Sequence, residues 1–280
     1  MNGKKGQPGL VAAGLGWGLA AGLALGVLLV APAMREVADG ASGGASISGP
    51  EQANPRAEAA EAAKAEAAAA NELLSAQAEE MVDGALEGRS IIVLRSAGVG
   101  DEEVAKQRWL LNTADSDDAG TITLTEKFTS QDAADELGSI IANSLPAGAQ
   151  ISVDNRAPGI HAGEALAAAL SKDASGQPRA SVEDRAFLLD TLAEAGFIEY
   201  EPGSVIAADS AVLMTGSNDG EQSFGDRTLA DFAAAFRTAG APLVVAAPGA
   251  GGNGEVPRVG YAGTEAGRVN TVFTLRDELS

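Results

Sequence analysis

From Leu10 to Met34 the chain runs for 25 residues without one charged side chain. No other feature restricts its possible structures as much. At 1.5 Å per residue, about 20 apolar residues in a helix cross the ~30 Å hydrocarbon core of a bilayer. Residues 10–34 are therefore expected to form a transmembrane helix. Lys4 and Lys5 precede the run, and Arg35 and Glu36 follow it. The positive-inside rule then places residues 1–9 in the cytoplasm and everything after the span outside it. A second interpretation stays open, because Ala31-Pro32-Ala33 has the small-x-small form of a signal-peptidase site, with cleavage after Ala33. Against it stands the apolar run from Leu10 to Val30, longer than the ~7–15 residues of a secretory signal core. Both interpretations imply export. Within the span Gly14, Gly18, Gly22 and Gly26 recur every fourth residue, nearly on one helical face. Such a face lets a second helix approach closely, from another copy or from a partner.

Residues 35–55 are rich in Gly, Ser and Ala and read as a flexible linker. Residues 56–87 consist largely of Ala, Glu and other strong helix formers and predict a helical stalk. Its inner stripe would be Ala60, Ala63, Ala67, Ala70, Leu74, Gln77 and Met81, spaced as the a and d positions of a heptad repeat. Alanine offers little apolar area, so a weak coiled coil and a lone helical spacer both remain open. From about residue 88 to 280, short aliphatic runs alternate with helical patterns. Strands are expected at 90–94, 121–125, 210–214 and 243–246, and further ones at 197–200 and 269–275. Helices are expected at 102–112, 131–143 (with Ser130 as N-cap), 162–171, 182–195 and 229–239, and 248–256 reads as a glycine-rich loop. Such an order builds a Rossmann-like α/β domain with a mainly parallel sheet.

The search for chemistry returns little. The chain has no cysteine, one histidine and four methionines, which excludes thiolate metal sites and cysteine nucleophiles. Cu(I) has few soft donors here. Gly98-Val99-Gly100 begins a dinucleotide-type pattern, but Glu103 occupies the place nearest phosphate. Gly249, Gly251 and Gly254 fit the spacing, yet Glu255-Val256-Pro257 follows where a helix should start. His161 lacks a nucleophile elbow to serve and reads as a surface or capping residue. Of three acidic clusters, 101–103, 115–118 and 219–221, the middle one lies in a turn-like stretch open to a hard cation such as Ca²⁺, but it lacks the glycine and distal glutamate spacing of an EF-hand and reads as a solvated acidic loop. No enzyme activity, cofactor or metal site is expected. The formal charge of −20 disfavours nucleic acid and anionic lipid and suits a basic protein patch.

Four segments carry a family resemblance: residues 85–95 (ALEGRSIIVLR), 145–150 (LPAGAQ), 192–198 (LAEAGFI) and 266–269 (AGRV). Together with the order of anchor, helical spacer and α/β domain, they resemble the actinobacterial MctB family, named for copper transport in the outer membrane. Corynebacterial SteB-like cell-division proteins are related to it. The resemblance implies one of two roles. The first is a non-enzymatic, membrane-anchored scaffold in the inner membrane, capable of homo-oligomerising and binding a SteA-like partner or a peptidoglycan-hydrolase regulator. The second is copper efflux across a mycolic-acid outer membrane, with copper ions as cargo. An outer-membrane pore needs many alternating strands of about ten residues closed into a barrel, and this sequence offers few strands and many helices.

Overall fold

The structure, a computed structural model, describes residues 55–216 and 223–280. The expected transmembrane helix with Gly14, Gly18, Gly22 and Gly26 lies outside the described residues, as does the expected linker up to residue 54.

Two helices lead in: α1 (Pro55–Ser75) and the short α2 (Ala78–Val82). The α/β domain then follows as β1 (Ser90–Ser96), α3 (Asp101–Thr113), β2 (Asp117–Leu124), α4 (Ala134–Asn143), α5 (Pro158–Leu170), α6 (Val182–Glu194), β3 (Ile198–Tyr200), β4 (Ser210–Met214), α7 (Phe224–Thr238), β5 (Leu243–Ala246), β6 (Gly252–Asn253), β7 (Pro257–Val259) and α8 (Glu265–Glu278). The seven strands form one sheet in the order β3-β2-β1-β4-β5-β7-β6. Strands β2, β1, β4, β5 and β7 run parallel, and the two edge strands β3 and β6 pair antiparallel. The Rossmann-like expectation is met in its mixed α/β, mainly parallel character.

Central strands are buried on both faces, which explains their unbroken aliphatic sequences. In β1, Ile92 and Leu94 join the larger core under α4, α5, α6 and α7, whereas Ile91 and Val93 join a second core under α2, α3 and α8. The same alternation puts Leu213 and Val245 on the first face and Val212 and Val244 on the second. Local signals set several helix starts. Ser181 caps α6 by accepting from Asp184 N, Ser223 and Asp226 form a reciprocal capping box on α7, and Thr264 caps α8.

Three expectations need correction. Residues 269–275 are helical, inside α8. Ser130 caps no long helix, because the chain first makes 3-10 turns at Lys127–Thr129 and Gln131–Ala133, burying Phe128 and Ala133, and α4 starts only at Ala134. The lead-in helix is also not continuous. It breaks at Ala76-Gln77, and Ala78, Val82 and Leu86 are fully buried in the second core. Residues 78–86 thus belong with the globular core, which begins ahead of residue 88.

One buried side chain is poorly served. Arg185 in α6 is 5% exposed, and its Nη1 is buried without a hydrogen-bond acceptor. Burial alone lowers its pKa, since no carboxylate among the described residues pairs with it. An unpaired buried charge costs more than the apolar contacts of its stem return. Arg185→Met is expected to raise stability by about 1–2 kcal/mol, or roughly 3–6 °C in Tm for a domain of this size. Thermal unfolding followed by circular dichroism checks this, and a lower Tm would show that the guanidinium has an acceptor.

Candidate functional site

In an open parallel sheet, ligands sit beyond the carboxyl ends of the strands. Here that edge carries the loops after β1, β4, β5 and β7, which include both glycine patterns. Neither cradles a phosphate. Gly98 lies against Gly216, where an added Cβ would come within 3.2 Å of the Gly98 backbone, and Gly216 N donates to Ser96 Oγ at 3.1 Å. Backbone therefore fills the crevice between β1 and β4. Gly251 is packed against Gly260, where a Cβ would meet Gly251 N at 2.3 Å.

The helix N-termini at this edge are occupied by the protein's own groups. Asp101, Glu102 and Glu103 occupy the first turn of α3, and the capping box closes α7. At α8, Glu265 N donates to Asn71 Oδ1 of α1 at 2.6 Å. These acids neutralise the positive ends of the helices that would otherwise attract an anion.

Glu103, unfavourable beside a phosphate, has a different use. Arg268 of α8 is 5% exposed and donates to Glu265 Oε2 at 2.7 Å and to the Gly263 carbonyl at 3.0 Å. Glu103 Oε2 lies 3.5 Å from the same guanidinium. One arginine thus joins α3, α8 and the loop after β7, while Asn71 ties the last turns of α1 to that junction. The sequence hid this set because its members are spread over nearly 200 positions and α8 read as a strand.

Of the predicted stalk stripe, Ala60, Ala63 and Ala67 are exposed, Ala70 and Leu74 are half-buried, and Gln77 and Met81 are exposed. The buried positions after the break are Ala78 and Val82, one residue out of step with the stripe. The lead-in helices also present large apolar side chains to solvent, Leu73 on α1 and Met81 on α2, and Trp109 on α3 is 49% exposed.

His161, in the first turns of α5, is 9% exposed, and its Nε2 lies 2.8 Å from the Ser152 carbonyl. It is therefore a buried anchor for the loop before α5 and not the surface or capping residue expected from the sequence. In the 115–118 cluster, Asp115 adopts a left-handed turn (φ 61°), and Asp118 pairs with Arg108 while accepting from Gly120 N. The 219–221 cluster lies outside the described residues. No group of three or more metal-ligating His, Cys, Asp or Glu side chains occurs among the described residues.

Over residues 10–280 the chain matches the family described as "Copper transport outer membrane protein, MctB". It belongs to the MctB family. Among its relatives is the copper transporter MctB of Mycobacterium tuberculosis (strain ATCC 25618 / H37Rv), 28% identical over 219 residues that cover 70% of this chain and 69% of that one. The copper transporter MctB of Mycobacterium leprae (strain TN) is 29% identical over 205 residues, covering 70% of this chain and 63% of its own. The match reaches back to residue 10, so the uncharged N-terminal run lies within the region that defines the family.

Proposed function

We propose that this chain is a non-enzymatic cell-envelope protein that serves copper transport by protein contact and does not itself hold the ion. The process follows the names of the mycobacterial relatives. The manner rests on one observation, the donor set. The chain has no cysteine, its single histidine is turned to a backbone carbonyl, and of its four methionines the two among the described residues are Met81, exposed, and Met214, buried in the sheet. Cu(I) needs converging soft donors, and among the described residues these do not converge. The described sheet is open-edged and covered by helices on both faces, the build of a soluble domain rather than of a lipid-facing wall. In this reading residues 10–34, 25 residues without a charged side chain, anchor the chain in the inner membrane and the α/β domain stands outside the cytoplasm. The partner meets the lead-in helices, where Leu73 and Met81 are exposed.

The same surface supports a second reading, in which the partner is a SteA-like protein or a regulator of peptidoglycan hydrolases and the process is cell division. The missing copper donors favour it. A gene-deletion strain separates the two. Copper sensitivity with normal septation is expected, restored by the wild-type gene and equally by His161→Ala. Normal copper tolerance with chained or elongated cells would move the assignment to division. The purified full chain in lipid nanodiscs is expected to withdraw no stoichiometric Cu(I) from bicinchoninate. Stoichiometric withdrawal would overturn the contact-only mechanism.

A further inference from the structure

Beside α7 the first face of the sheet is not fully covered. A cleft of about 500 Å³ opens there between α7 and the margin formed by β4, β5 and β7. Its walls are Leu213, Val245, Val256 and Leu229, and its polar groups include Thr215 and Arg258. It lies at the carboxyl ends of parallel strands, where α/β folds place ligands, and its size suits a small organic molecule.

Two polar groups here lack partners. Thr215 follows β4, and its Oγ1 is buried with no hydrogen bond. Arg258, half-buried on β7, makes no side-chain hydrogen bond or ion pair among the described residues. In a chain with 39 acidic and 19 basic residues, an arginine that pairs with no carboxylate among the described residues has a free charge to offer an anion. The acids in the wall do not engage it. Asp226 accepts from Ser223 N in the capping box, and Asp231, whose Cβ packs where α7 meets Gly159 of α5, shares the wall with Arg258 but forms no ion pair with it. Arg227, on the exposed side of α7, is already engaged.

We propose that this cleft binds a small carboxylic acid with an aliphatic body. The carboxylate pairs with the Arg258 guanidinium, whose two-pronged donors match it, and the chain lies on the aliphatic walls. This site is separate from the lead-in surface and does not depend on the copper reading.

The test uses the full chain in lipid nanodiscs, hexanoate and 1-hexanol as probes, and saturation-transfer NMR with empty discs as background. Saturable hexanoate binding at least tenfold tighter than hexanol is expected. Arg258→Gln should weaken hexanoate at least tenfold while leaving Tm unchanged, because the side chain has no partner to lose. Ala230→Trp, which fills the cleft from the exposed side of α7, should abolish binding of both probes. Equal affinity for hexanol and hexanoate, full binding by the Arg258→Gln variant, or no saturable signal above the discs would each overturn the proposal.

Discussion

Replacing Gly163 by alanine is expected to lower stability by about 3 kcal/mol, a fall of roughly 6–12 °C in Tm. An alanine inside a helix ordinarily gains about 0.5–1 kcal/mol over glycine, so the sign depends on the surroundings. A Cβ at Gly163 would stand 2.4 Å from the Phe232 carbonyl and 2.9 Å from Ala235 Cβ, both on α7. Gly159, one turn earlier, is tighter still, with the Thr228 carbonyl at 2.2 Å. These obstacles are mostly backbone, so relief requires α5 and α7 to separate along their length. Gly138 in α4 is the control, since nothing lies within 4 Å of its added Cβ. Gly138→Ala should gain about 0.5–1 kcal/mol. If both variants shift Tm upward, the close approach of α5 and α7 is wrong.

Asp209→Ala is the second large effect. Asp209 sits just before β4 and accepts from Ser90 N, Ser90 Oγ and Lys172 Nζ, each at 2.8 Å, and its own N–H donates to Ser90 Oγ. It ties the first residue of β1 to the start of β4 at the amino edge of the sheet. Removing it leaves a half-buried ammonium and a strand N–H without partners, a loss of about 2–4 kcal/mol. Burial opposes its charge, but Lys172 and the two Ser90 donors outweigh that and hold the carboxyl below its usual range. Its contribution is therefore complete above the unfolded carboxylate value of about 3.9 and is lost as pH falls through the lower folded value. Urea unfolding of wild type and variant should differ by a constant amount from pH 5 to 8 and converge below about pH 4. A gap that persists unchanged at pH 3 would show that the carboxylate's charge is not what stabilises the junction.

The limits of these effects follow from what neighbouring residues in the sequence can and cannot encode. The strands at 210–214 and 243–246 were legible to the residue, because a strand buried on both faces must be aliphatic throughout and has few alternatives. The helix expected at 182–195 is α6, Val182–Glu194, whereas the one expected from 229 starts earlier, at Phe224, where the Ser223–Asp226 capping box sets its first turn. The glycine loops could also be rejected as phosphate sites from the acid at position 103 and the proline at 257.

Other features depend on contacts far apart in the chain. Residues 269–275 carry β-branched and aromatic side chains whose local preference is extended. The sheet already ends at β6 and β7, and the second core requires cover, so burial of Val269, Val272 and Leu275 at helical spacing prevails. The break at Ala76-Gln77 has no local cause, since both residues tolerate a helix. It arises because Ala78, Val82 and Leu86 must reach the core while Asn71 reaches the N-terminus of α8. The Arg268–Glu265–Glu103 junction and the unpaired Arg258 are likewise matters of which elements meet. Sequence alone thus determined the α/β class, the central strands and the scarcity of soft copper donors, all of which depend on residue type or on spacing within a few positions. Tertiary structure decided where the lead-in helices join the core and which charges go unpaired, because those depend on long-range neighbours that no local pattern encodes.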